Sequence, residues 1–155
     1  MTTATITIHE RWAEDMTADI AAARESITIS ALSMLPPRHV NEAPLSRLWE
    51  ALRAAAAREV EVLIYLAEPT PIHRATLQNG TTGLIAHRAG MTTHFVPQPQ
   101  LLHAKTAIID RLICWVGSGN FTAAAAHYNH ELYCRFSNAE IAARIAARWA
   151  TIAKK

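Results

Sequence analysis

Two β-branched runs, residues 26–32 (SITISAL) and 60–66 (VEVLIYL), constrain the fold of this chain more than any other feature. Each is too short for a stable helix and rich in the residue types that suit a pleated strand. The segment between them cannot be one regular element, because Pro36 and Pro37 fall in the loop 33–43. Pro44 then suits the first turn of a helix, with Leu45, Leu48, Leu52 and Ala55 on one face and an end near Glu59.

The same alternation runs through the rest of the chain. Residues 5–9 (TITIH) read as a short strand, and residues 10–25 as a helix with Ala13, Met16, Ile20 and Ala23 at helical spacing. Residues 70–89 read as helical, against the tendency of Asn79, Gly80 and Gly83 to interrupt a helix. Strands are expected at 91–96, 103–110, 112–116 and 131–136, with a loop at 97–100 and a turn at 117–120. A helix starts at 121–126. Asn138 caps a last helix that turns Ile141, Ile145, Trp149 and Ile152 inward. Alternating strands and helices define an α/β class. The 155 residues fit one domain with a sizeable core, and no repeat or linker divides them.

No apolar run reaches membrane-spanning length. The segment MTTATITIHERW lacks a basic stretch followed by an apolar one, so a cytoplasmic protein is expected. Cys114 and Cys134 sit in apolar runs without metal-binding or redox spacing and read as reduced core thiols. A net charge of +2 does not by itself predict nucleic-acid binding, so any anionic substrate must be held by a local site.

The distribution of lysine points to that site. The chain has 15 basic residues, and its only lysine outside the C-terminal pair Lys154 and Lys155 is Lys105. On a strand His103 and Lys105 share a face, while Ala104 and Thr106 face the other way. Asp110 ends that strand, and the chain returns to Gly117-Ser118-Gly119-Asn120. The two glycines permit a tight turn and close approach of a ligand. Ser118 and Asn120 offer hydrogen bonds, and Asn120 suits the N-cap of the next helix. Phosphoryl transfer asks for this kind of equipment: positioning and charge neutralisation, with an imidazole as nucleophile or acid. A lysine ammonium is a compact point donor, whereas a forked arginine imposes another geometry.

The spacing His103-x-Lys105-x-x-x-x-Asp110, followed by the GSGN turn, resembles the HKD motif of the phospholipase D superfamily. Asn129-His130-Glu131 before an apolar strand is similar to the Asn-x-Glu segment of its small, single-motif bacterial endonucleases. The resemblance covers nearly the whole chain and implies a mixed β-sheet flanked by helices on both faces. It implies that His103 attacks phosphorus to form a phosphohistidine. Lys105 and Asn120 would hold the phosphoryl oxygens, with Ser118 either assisting or serving the turn. Glu131 would orient a histidine, and Asp110 would stabilise the site rather than do chemistry. No metal or other cofactor is implied. No other histidine has a lysine two residues on, so a two-histidine mechanism requires a homodimer with the active site at its two-fold axis.

The expected function is therefore a metal-independent phosphodiesterase acting on nucleic acid, a DNA endonuclease. Two competitors remain: a phospholipase or phosphatidyltransferase, for which Met34, Leu35, Leu101 and Leu102 would have to form an apolar rim, and a nuclease-like subunit of a larger DNA-processing or defence complex. Arg38, Arg74, Arg88 and Arg111 either line a groove for a phosphate backbone or are scattered surface charges. His127 and His130 read as solvent-facing, since no cluster of further ligands accompanies them. Trp12, Trp49 and Trp149 read as core, and Trp115 as core or dimer contact.

Overall fold

The computed structural model describes residues 5–37 and 43–153. Arg38 and His39, Lys154 and Lys155 lie outside the described residues. The elements are β1 (Thr7–His9), α1 (Trp12–Ala22), β2 (Ser26–Ala31), α2 (Ala43–Ala57), β3 (Glu61–Ala67), α3 (Asn79–Arg88), β4 (Thr92–Val96), β5 (Lys105–Ile109), β6 (Ile113–Gly117), α4 (Ala123–His127), β7 (Tyr133–Ser137) and α5 (Ala139–Ile152). A short 3-10 turn, Arg74–Thr76, precedes α3.

The strands form one mixed seven-stranded sheet in the order β1-β7-β6-β5-β2-β3-β4. β2, β3 and β4 run parallel, and β5, β6, β7 and β1 are joined antiparallel. A parallel pair needs a long crossover, and α2 supplies it between β2 and β3. Alternation in β2 sends Ile27 and Ile29 into the larger core, with Trp12, Met16 and Ile20 of α1 and Leu48 and Leu52 of α2. Ser30 faces the other way. Its hydroxyl meets Thr106 at 2.7 Å, and the Trp149 indole donates to the same Thr106 oxygen at 3.2 Å.

α5 packs on that second face, where its residues join two smaller clusters. Here the sequence expectation is corrected. Of this helix only Ala142 is fully buried, Ile145, Trp149 and Ile152 are half-buried, and Ile141 is 39% exposed. The expected helix over 70–89 is likewise divided into a 3-10 turn and α3, because Thr70, His73 and Thr76 bond among themselves before α3 begins. Trp12, Trp49 and Trp115 are core, and the Trp115 indole donates to Asp19 at 2.8 Å.

Asp110 sits in the β5–β6 hairpin with Arg111, both at positive φ (50° and 54°). Such a pair suits the twist of a tight hairpin, and aspartate tolerates it better than most residues. Its carboxylate accepts the backbone N–H groups of Arg24, Glu25 and Ser26 at 2.8–3.1 Å, which ties the hairpin to the start of β2. Burial works to raise its pKa, but these hydrogen bonds and the Arg24 charge outweigh it and hold the carboxyl below its ordinary value. A lowered folded-state pKa means that the contribution is present above the unfolded value and lost as pH falls through the folded one. Asp110→Ala should therefore cost about 2 kcal/mol of stability in denaturant unfolding at neutral pH. The difference from wild type should shrink in acid below the ordinary carboxylate range. An equal deficit at both pH values would contradict this role.

Candidate active site

β5 is antiparallel to β2, so the start of β5 lies at the carboxyl ends of β2 and β3, the usual location of sites in open α/β sheets. Lys105 opens β5 opposite Gly117, the last residue of β6, and β7 begins alongside with Tyr133. One sheet edge thus collects the Lys105 strand, the glycine turn and the approach to β7. Asp110 stands at the other end of β5, about 17 Å from Lys105 at 3.3 Å per residue.

His103 precedes the strand rather than lying on it, because pairing begins at Lys105. The expected closeness survives this. Lys105 Nζ is 3.1 Å from His103 Nδ1 and 3.5 Å from Nε2, and it donates to the His103 carbonyl at 2.6 Å. His103 is exposed, whereas Lys105 is only 4% exposed. Burial lowers the Lys105 pKa from the usual lysine value, and the Glu131 carboxylate opposes that shift. A poorly hydrated ammonium gains more from a phosphoryl oxygen than one in bulk water would.

The glycine turn is fixed by packing on both sides. A Cβ at Gly117 would collide with the Leu132 carbonyl and the Tyr133 ring, and one at Gly119 would come within 3.2 Å of the Glu131 side chain. Glu131 accepts from the Ser118 hydroxyl and, at 3.1 Å, from the Asn129 amide. Among the described residues no histidine bonds to it. The buried Tyr133 hydroxyl donates to the Gly119 carbonyl, and burial, reinforced by Glu131, keeps the phenol protonated.

Asn120 does not cap the next helix. Thr122 does, accepting from Ala125 N–H at 3.3 Å. The Asn120 Oδ1 instead accepts from Ser33 N–H at 3.2 Å. Its Nδ2 group has no partner among the described residues and is available to a ligand.

A cleft of about 630 Å³ opens beside His103, lined by Gln98, Gln100, Leu102, Arg148 and Trp149 among others. Sequence reasoning missed Arg148, since nothing in its local pattern separates it from a solvated helix charge. Leu102 is buried and Leu101 half-buried. Of the other arginines, Arg74 and Arg88 are exposed on the 3-10 turn and α3, and Arg111 shares the hairpin with Asp110. The structure does not bring Arg111 to His103. His127 and His130 are exposed, and among the described residues no group of three or more His, Cys, Asp or Glu is placed to hold a metal ion. No helix among them is long and apolar enough to cross a membrane.

An exposed histidine against a buried lysine, at the carboxyl edge of a mixed sheet and beside a glycine turn, defines a phospholipase D-like architecture. Residues 16–152 match the family described as "Cardiolipin synthase, PLD-like domain", so the chain belongs to the phospholipase D superfamily. No curated protein matches it in sequence. Among solved structures it is similar to Nuc from Salmonella typhimurium, a phospholipase D family member. The identity is 25% and the TM-score 0.76, covering 97% of this chain and 94% of Nuc. It shares its fold with NucT from Helicobacter pylori at 18% identity and TM-score 0.71, covering 98% and 96% of the two chains. Phosphatidylserine synthase from Haemophilus influenzae has the same fold at 14% identity and TM-score 0.67, where 92% of this chain covers 35% of the synthase.

Proposed function

We propose that this protein is a metal-independent phosphodiesterase that cleaves nucleic acid, a DNA endonuclease working through a phosphohistidine at His103. The observation that carries the reading is the exposed His103 imidazole held against the buried Lys105 ammonium at 3.1 Å. In this free state the ammonium rests on the His103 ring and carbonyl. A bound phosphoryl group would offer it a charged oxygen instead, releasing the imidazole to attack in line. Asn120 would supply a second donor through Nδ2, and Ser118 would hold Glu131 in place. Asp110 would act at a distance, by fixing the far end of β5. Similarity to Nuc over nearly the full length of both chains supports the nuclease reading.

Cleavage also needs an acid for the leaving oxygen. Among the described residues no histidine other than His103 bonds Lys105 and none bonds Glu131, and we assign the acid to His103 of a second copy. The surface beside the site suits such a contact. Val116, next to Gly117, is 38% exposed and Leu132 52%. A recess of about 440 Å³ is lined by Val116, Ile141, Ile145 and Trp149.

Phosphatidyl transfer is the second reading, favoured by the description of the matching family. One experiment separates the readings: the purified protein is incubated in excess EDTA with labelled DNA, RNA and phospholipid vesicles. DNA should be cut internally while the vesicles remain intact. Release of a lipid headgroup without DNA cleavage would establish the second reading. Activity that appears only after magnesium or zinc is restored would overturn the mechanism.

A further inference from the structure

Asn79 opens α3 and is completely buried. A carboxamide in a core is tolerated only when its hydrogen bonds are met, and here both ends are engaged. Nδ2 donates to the carbonyls of Leu32 at 2.9 Å and Ala67 at 2.8 Å, and Oδ1 accepts from Met34 N–H at 3.4 Å. One turn along, the buried Thr82 hydroxyl donates to the Met34 carbonyl at 2.5 Å. The two side chains thus grip the backbone of residues 32–34 where it leaves the sheet after β2. That segment lies past the end of the β2 ladder, so its polar groups must find partners elsewhere.

The other side of the same segment holds the site. Ser33 N–H donates to Asn120 Oδ1 at 3.2 Å, and the Ser33 carbonyl accepts from Phe121 N–H at 3.2 Å. Leu35 N–H donates to the Phe121 carbonyl at 2.9 Å. The Ser33 contact also fixes which way the Asn120 amide faces, since a flipped amide would set donor against donor. Both Nδ2 hydrogens are thereby left for a ligand.

We propose that Asn79, assisted by Thr82, is a positioning residue for phosphodiester cleavage. It holds the 32–34 backbone so that Ser33 N–H orients Asn120. This rests on the reading of Asn120 as a phosphoryl ligand. A misplacement on the order of 1 Å at a group that positions substrate can cost about 100-fold in rate.

The test is a double-mutant cycle on kcat and KM with bis(4-nitrophenyl) phosphate, a diester that favours neither nucleic acid nor lipid. The variants are Asn79→Ala, Thr82→Val, Asn120→Ala and the two doubles with Asn120→Ala, each assayed below its measured unfolding transition. Asn79→Ala should lower kcat by up to about 100-fold with little change in KM, and Thr82→Val should cause a smaller loss in the same direction. In the Asn120→Ala background neither should cause a further fall, because the group they position is gone. Losses of the same size in both backgrounds would overturn the proposal, as would a folded Asn79→Ala protein with wild-type kcat. Should Asn79→Ala fail to fold, Thr82→Val carries the cycle: a loss confined to the Asn120 background supports the proposal, and an equal loss in both, or none, overturns it. Full turnover by Asn120→Ala alone would instead remove the phosphoryl-ligand reading on which the proposal stands.

Discussion

Replacing His103 by alanine or asparagine should reduce cleavage by about 10⁴-fold or more, the scale seen when a covalent nucleophile is removed. The exposed imidazole contributes little to the core, so the unfolding transition should stay where it is in wild type. Lys105 and Asn120 would remain to bind and polarise a phosphodiester, so substrate affinity should fall far less than turnover. Such a split between binding and chemistry separates a lost nucleophile from a disturbed site. A well-folded His103→Ala protein that cuts DNA at near the wild-type rate would remove His103 from the mechanism.

The second large effect concerns mixtures. If each active centre draws on two copies of His103, a hybrid dimer of wild-type and His103→Ala chains has either the nucleophile or the acid, never both. Where subunits exchange freely, activity should follow the square of the wild-type fraction, so an equal mixture retains roughly a quarter of full activity. A centre complete within one chain would give a linear fall, with half retained. Sedimentation under the assay conditions should show a dimer. A linear decline with exchange verified by label transfer would return the acid to a single chain and direct attention to His127 and His130.

Much of this architecture was legible because its signals are local. The β-branched runs became β2 and β3 with ends shifted by one residue, and Asn138 does cap α5, accepting Ile141 N–H at 2.9 Å. The proximity of the candidate residues was legible for a related reason. Lys105 and Gly117 pair across one hairpin, and His103 and the rest of the GSGN turn lie just beyond its open ends, so sequence spacing translates directly into spatial spacing.

What was not legible depends on distant partners. Asn79 and Gly83 read as helix interruptions. Asn79 is spent on the backbone of residues 32, 34 and 67, and Gly83 is small because a Cβ there would lie 2.9 Å from the Phe95 ring. Asn120 read as a helix cap, but the Ser33 backbone claims its oxygen from 87 positions away. The inward reading of α5 assumed a helix buried along a whole face. In the fold it lies on the sheet face opposite the larger core, which leaves Ile141 39% exposed. Periodicity reports which side of a helix is apolar, not how much of the chain is present to cover it.

Covalent catalysis by His103 without a metal can be read directly by trapping the intermediate. Protein in excess EDTA is mixed with DNA carrying a radiolabelled internal phosphate, denatured with alkali within one turnover, and digested to peptides. Label should appear on the peptide containing His103, stable in alkali and released by acid, and none should appear on His103→Ala protein. Label-free protein during demonstrable cleavage, label on another residue, or cleavage that begins only when a divalent metal is added would contradict this mechanism.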